Sequence, residues 1–155
     1  MNLKTRVLLP LLMATVFLGA CKKDDPEPEP TLYERLGGIN AITAVVDQFL
    51  VNVISNPVIN SRFSNANAEA LRLHLIDQIC EATGGPCIYK GLSMKDAHST
   101  ATNPGADVAN ITVEEFNSLV GNLVDAMNAL SVPADLQNEL LGLLAPMQSD
   151  IVGNP

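Results

Sequence analysis

The chain is 155 residues long and carries 9 basic against 17 acidic residues, a net charge of −8. One domain is the natural prior for that length, and the acidic balance argues against nucleic acid, or an anionic membrane surface bound through charge, as a partner. Aromatic residues make up only 4% and tryptophan is absent, so the core has to be built from Leu, Ile, Val, Ala and Met, which suits packed helices.

Lys4 and Arg6 form a basic start, and Val7 to Leu18 is an apolar run of 12 residues broken only by Pro10 and Thr15. So short a run reads as an export signal rather than a spanning helix. It ends Leu18-Gly19-Ala20-Cys21, small residues directly before a cysteine. This resembles the lipobox of bacterial lipoproteins. The resemblance implies a signal peptide over residues 1–20 and a lipid-carrying Cys21 as the new N-terminus, anchored by roughly 0.8 kcal/mol per buried CH2. Residues 21–30 are then the lipidated cysteine and a charged, Pro-rich tether with nothing to bury. No Asp follows Cys21, which resembles outer-membrane sorting. The expected location is the cell envelope, at the outer membrane, with its periplasmic and surface faces both open. Without Lys4 and Arg6 the mature chain has 7 basic and 17 acidic residues, net −10, and about 120 residues remain to form a modest core.

Thr31 and Glu34 have capping-box spacing, and Gly37-Gly38 stops the short helix they open. From Ile39 to Ile54, Ile39, Ile42, Val45, Val46, Phe49, Leu50, Val53 and Ile54 recur at intervals of three and four, predicting one broad buried face. Asn56-Pro57 ends that helix. Ile59 and Phe63 follow in an irregular turn, and Asn67 is placed to cap the next helix. There Leu71, Leu75 and Ile79 recur every four positions as one stripe, until Gly84-Gly85-Pro86 breaks it. A short segment delivers His98 after Met94 and Ala97. The 12 residues from Ser99 to Asn110 lack apolar periodicity and read as a loop. Thr112 and Glu115 form a second capping box, ahead of Phe116, Leu119, Val120, Leu123, Val124, Met127 and Leu130. Pro133 opens the last helix in a first-turn position. Its stripe is Leu136, Leu140, Leu143, Leu144, Met147 and Ile151, with Pro146 predicting a kink. No segment reads as a strand, so the fold class is all-α.

His74 and His98 are the chain's two histidines. Together they suit a flat metal-centred ligand held between imidazoles; singly, a helix histidine is more often a satisfied or solvated side chain. Cys80 and Cys87 lie seven apart across the Gly-Gly turn. In an exported chain two remaining cysteines favour a disulfide, which would add roughly 2 to 3 kcal/mol and staple the Leu71 helix to the segment leading to His98. Two buried free thiols are the other reading. Ser55, Ser61, Ser64 and Ser99 have no nucleophile motif around them, which argues against a hydrolase.

Leu32-Tyr33-Glu34-Arg35-Leu36-Gly37-Gly38, Ala44-Val45-Val46-Asp47 with Phe49, Asn56-Pro57 and Phe63 resemble the start of a group 1 truncated haemoglobin. Gly84-Gly85-Pro86 with Tyr89 and Gly91, Met94, Ala97-His98, Val132-Pro133 and Ala145-Pro146 are similar to its second half. The resemblance runs from Thr31 to about Val152 and implies a truncated globin domain over residues 31–152. Its fold would be a two-over-two helical sandwich burying haem b. His98 falls on the family's proximal iron ligand, Phe63 on the aromatic against the haem face, and Phe49 on its neighbour in the second helix. Leu71, Leu75, Tyr89 and Met94 complete the implied pocket.

The departures are distal. Leu50 stands where the family usually has a Tyr, and Leu75 where a Gln often lies. Losing those two donors to the bound ligand should weaken its retention by roughly 1 to 3 kcal/mol, which counts against nitric oxide dioxygenation. Gln78 is the nearest remaining polar side chain on the distal helix. His74 falls where some members place a second iron ligand. It swings in to give a bis-histidyl haem, or points to solvent beside a propionate; both readings stay open. The loop after His98 is longer than the family leads one to expect. The leading expectation is a lipid-anchored haem protein that binds O2, NO or another diatomic ligand, or exchanges electrons with a redox partner. The alternatives are a globin-fold lipoprotein that has lost haem and a haem carrier.

Overall fold

The computed structural model describes residues 27–154; the expected signal peptide, Cys21 and the expected tether as far as residue 26 lie outside the described residues. Among the described residues there are seven α-helices: α1 Leu32–Leu36, α2 Gly38–Ser55, α3 Ala68–Ala82, α4 Met94–Ala97, α5 Val113–Ala129, α6 Ala134–Leu144 and α7 Gln148–Ile151. Short 3-10 turns cover Asn60–Phe63 and Ala145–Met147. No strand forms among these residues; a single parallel bridge pairs Ile111 with Val152.

Both expected capping boxes form. The Thr31 hydroxyl accepts from the Glu34 amide while the Glu34 carboxylate accepts from the Thr31 amide, and Thr112 and Glu115 do the same for α5. Asn67 caps α3 by accepting from the Ala70 amide at 3.0 Å. Gly37, at φ +100°, turns the chain between α1 and α2 in a conformation that a Cβ would strain.

α2 packs against both α5 and α3, and α1 packs against α6. Ile42, Val45, Val46, Phe49 and Val53 of α2 meet Leu123, Ala126 and Met127 of α5, Leu136 and Leu140 of α6, and Ile76, Ile79 and Cys80 of α3 in one core. α2 is long and apolar enough to cross a membrane, but these contacts make it the central helix of a globular domain. The expected α2 face is too broad. Ile39 is 39% and Ile54 68% exposed, at the two ends of that stripe. Leu130, expected in the α5 stripe, and Leu143, in the α6 stripe, are also exposed.

Two further differences follow from local chemistry. Pro133 occupies the N-cap position of α6 rather than its first turn. Pro146 breaks the helix instead of kinking it: α6 ends at Leu144, a 3-10 turn spans the proline, and α7 starts afresh. A polar seam also crosses the α2–α5 contact. The Asn52 amide donates to the Asn122 carbonyl, and the Asn56 amide donates to Ser118 Oγ and Asn122 Oδ1. Asn122 Nδ2 is buried without a partner.

Candidate functional site

The expected site residues lie on α2, the Asn60–Phe63 turn, α3 and the chain from Tyr89 through His98 at the end of α4. On α3 the single predicted stripe splits into two. Ile76, Ile79 and Cys80 are buried in the core, whereas Leu71, Leu75 and Gln78 run alongside, half-buried. Leu50 of α2 and Phe63 of the 3-10 turn are likewise half-buried and pack against the core with Leu75. Phe49 lies in the core itself, as a plain core aromatic would. The result is an apolar wall of Leu50, Phe63, Leu71 and Leu75.

α4 is of another kind. It is a single turn with no buried residue, so burial does not hold it in place. Hydrogen bonds do. Ser93 Oγ accepts from the Asp96 amide at its start. Asn103 Nδ2 donates to the Ala97 carbonyl at 3.0 Å, and Asn154 Nδ2 donates to the Lys95 carbonyl at 2.7 Å. The loop carrying Asn103 is itself tied down by Arg62, which donates to Asp107, to the Ala109 carbonyl and to Glu115. Arg62 and the Thr112 amide together hold the Glu115 carboxyl down to about 2, from 4.5. Asn103 and Asn154 carried no signal in the sequence, because a side-chain cap on a distant carbonyl leaves no local pattern.

His98 caps the C-terminus of α4, half-buried. Its Nδ1 lies 2.8 Å from the Met94 carbonyl, to which Nδ1–H donates. That bond selects the tautomer with a free lone pair on Nε2, the arrangement a metal-binding imidazole needs.

His74, on the outer side of α3, is exposed, with its ring edge-on to Tyr89 at a centroid distance of 5.9 Å. The Tyr89 hydroxyl donates to the Leu92 carbonyl at 2.9 Å, and burial raises the phenol's pKa, so it stays a donor. Cys80 and Cys87 are joined by a disulfide. Gln78 Nε2 points at the sulfurs of Met94 and Met147, at 3.4 and 3.7 Å. Thioethers are weak acceptors, so this amide is under-used.

An apolar cavity of about 310 Å³ lies elsewhere, lined by Ala41, Ala44, Val45, Ile79, Leu136 and Leu140 among others. None of the expected pocket residues lines it. Among the described residues no cluster of three His, Cys, Asp or Glu side chains forms a bare-metal site. The donor set is one oriented imidazole, a second, exposed imidazole on α3 and a group of half-buried apolar side chains. That set fits a planar, mostly apolar group ligated through iron, such as haem.

The comparisons agree. The bacterial-like globin family matches residues 31–153. A group 1 truncated haemoglobin from Mycolicibacterium paratuberculosis is 31% identical over 121 residues, covering 78% of this chain and 83% of the relative. One from Tetrahymena pyriformis is 28% identical over 123 residues, 79% of this chain and 95% of the relative. The solved Fe(III) structure of truncated haemoglobin from T. pyriformis superposes with a TM-score of 0.72 at 27% identity, covering 80% of this chain and 99% of that one. A 2/2 haemoglobin from Synechococcus, solved in the cyanomet state with covalently attached haem, gives 0.71 at 27%, covering 79% and 98%. The helices described above are thus the two-over-two globin sandwich, and the chain belongs to the bacterial-like globins as a group 1 truncated haemoglobin.

Proposed function

We propose that the chain binds one haem b through His98 Nε2 and is a lipid-anchored haem protein of the cell envelope. A haem held there supplies an iron site that takes a diatomic ligand such as O2 or NO, or accepts and passes on an electron from a redox partner. The observation that carries the reading is the His98 Nδ1–Met94 carbonyl bond, which leaves the Nε2 lone pair free to serve as a ligand.

The other residues act around that ligand. Leu50, Phe63, Leu71 and Leu75 would exclude water from a bound haem, with Tyr89 and Met94 lining it beside α4. None of the four wall residues donates a hydrogen bond, so a bound ligand is retained less firmly than in relatives with a Tyr and a Gln at these positions. This favours quick release or electron transfer over tight storage. His74 stands at the rim as the second axial candidate. Lipid on Cys21, with residues 22–30 as spacer, would keep the domain at the outer membrane.

A haem titration followed by ferric and ferrous absorption spectra tests the reading, with His74→Ala and His98→Ala beside the wild type. Stoichiometric uptake that His98→Ala abolishes or strongly weakens is expected. No uptake by the wild type would leave a globin-fold lipoprotein with another task. Labelled palmitate incorporated by the wild type but not by Cys21→Ala tests the anchor. A second reading, a haem carrier, draws on the absence of buried residues in α4; fast transfer of haem to an apoglobin scavenger would favour it.

A further inference from the structure

The haem reading gives the Cys80–Cys87 disulfide no part, yet it lies two residues from Tyr89, whose ring meets His74. Cys80 is fully buried in α3, while Cys87 is half-buried in the segment that follows the Gly-Gly turn. Gly85 packs so closely on this link that a Cβ there would lie 2.7 Å from Cys80 Sγ. Two residues beyond Cys87 the Tyr89 ring meets His74, six residues before Cys80 on the same helix. The ring is held at its hydroxyl end too. A Cβ on Gly91 would lie 2.2 Å from the Tyr89 oxygen, and the hydroxyl is bonded to the Leu92 carbonyl. Tyr89 therefore has little freedom while Cys87 is tied to α3, and His74 rests against it at the rim.

Resting on the haem reading above, we infer that the Cys80–Cys87 disulfide, through Tyr89, holds His74 away from the iron site, so that reducing the disulfide frees His74 to become the second axial ligand. Tyr89 and the two cysteines are positioning residues; His74 is the group they position. The release step needs a dithiol donor. One donor thiolate attacks Cys87 Sγ, the accessible sulfur, the S–S bond breaks, and Cys80 leaves as a thiolate that takes up a proton. The donor's second thiol then displaces Cys87, which is protonated in turn, and the donor closes its own disulfide. Two electrons and two protons pass from the donor to the cysteine pair. The freed segment no longer pins the Tyr89 ring by loop closure, and the edge-to-face contact with His74 is lost.

The test uses the full chain loaded with ferric haem. Spectra are compared for the wild type, the Cys80→Ala/Cys87→Ser pair and Tyr89→Leu, each with and without His74→Gln. A predominantly high-spin wild type is expected. Both variants should shift the high-spin to low-spin equilibrium by roughly fivefold, the worth of one ring contact, and His74→Gln should reverse the shift. In the haem-free protein, NMR should show the His74–Tyr89 proximity lost when dithiothreitol reduces the cysteines. If the cysteine pair variant does not fold, Tyr89→Leu, which keeps the disulfide, decides alone. A wild type already low-spin through His74, or variants with the wild-type spectrum, would overturn the inference. No haem uptake at all would instead overturn the haem reading and this inference with it.

Discussion

The α2–α5–α6 half of the molecule and the α3–α4 side are built on different principles. In the first, Val46, Ala126 and Met127 are fully buried and Leu140 nearly so, and helix packing, crossed by one polar seam, holds the parts together. In the second, α4 buries nothing, and Ser93, Asn103, Asn154 and a disulfide stand in for a core. The lesson is that the scaffold is self-sufficient while the site side is cross-linked and pinned. An element that carries a ligand-binding imidazole gains from being held by its ends, since its inner face is then left for the ligand.

Substitutions can break or sharpen that contrast. Met127→Ala should cost about 2 to 5 kcal/mol of stability by urea denaturation, whether or not haem is bound, because it opens a cavity in the closed half. The Cys80→Ala/Cys87→Ser pair should cost roughly 2 to 3 kcal/mol by the same measurement. Its local effect should be confined to the site side, read as faster amide exchange over residues 84–98 with α5 and α6 unchanged. The Arg62–Glu115 pair joins α5 to the turn that precedes α3 and makes that junction sensitive to acid. The Glu115 carboxyl is held down to about 2 from 4.5, chiefly by Arg62 and then by the Thr112 amide. Its contribution is therefore complete above pH 4.5 and lost as pH falls through that value toward 2. Glu115→Gln should remove roughly 1 to 2 kcal/mol at neutral pH, allowing for solvent screening, and flatten the loss between pH 4.5 and 2 in thermal melts. Smallest is Ser93→Ala, which removes the α4 cap for about 1 kcal/mol. Haem-loss rate should register it more clearly than global stability does.

The two regions also differed in how far the sequence disclosed them. Capping boxes at Thr31 and Thr112, the Asn67 cap and the Gly37 turn rest on fixed local spacings, and each formed as expected. The all-α class and the globin likeness were equally legible. Periodicity failed where it depended on neighbours that cannot be seen in the chain. Ile39 and Ile54 continue the α2 pattern, yet both are exposed at its two ends. Leu71, Leu75 and Ile79 look like one stripe, yet only Ile79 is in the closed core. Asn122 sits buried among apolar residues because Asn52 and Asn56 meet it from α2, a pairing across 66 and 70 residues that no local pattern announces. At the site, the residue types of His74, His98, Tyr89 and the cysteines were visible. The hydrogen bonds that orient His98 and the long-range caps on α4 belong to the folded chain alone.

The central claim is that His98 Nε2 is presented as the ligand for haem. The most direct measurement is the haem affinity and spectrum of His98→Gly with and without added imidazole. The account predicts that the variant binds haem weakly and that free imidazole, entering the space the side chain leaves, restores both affinity and the wild-type spectrum. A His98→Gly chain that keeps the wild-type affinity and spectrum without imidazole would contradict it.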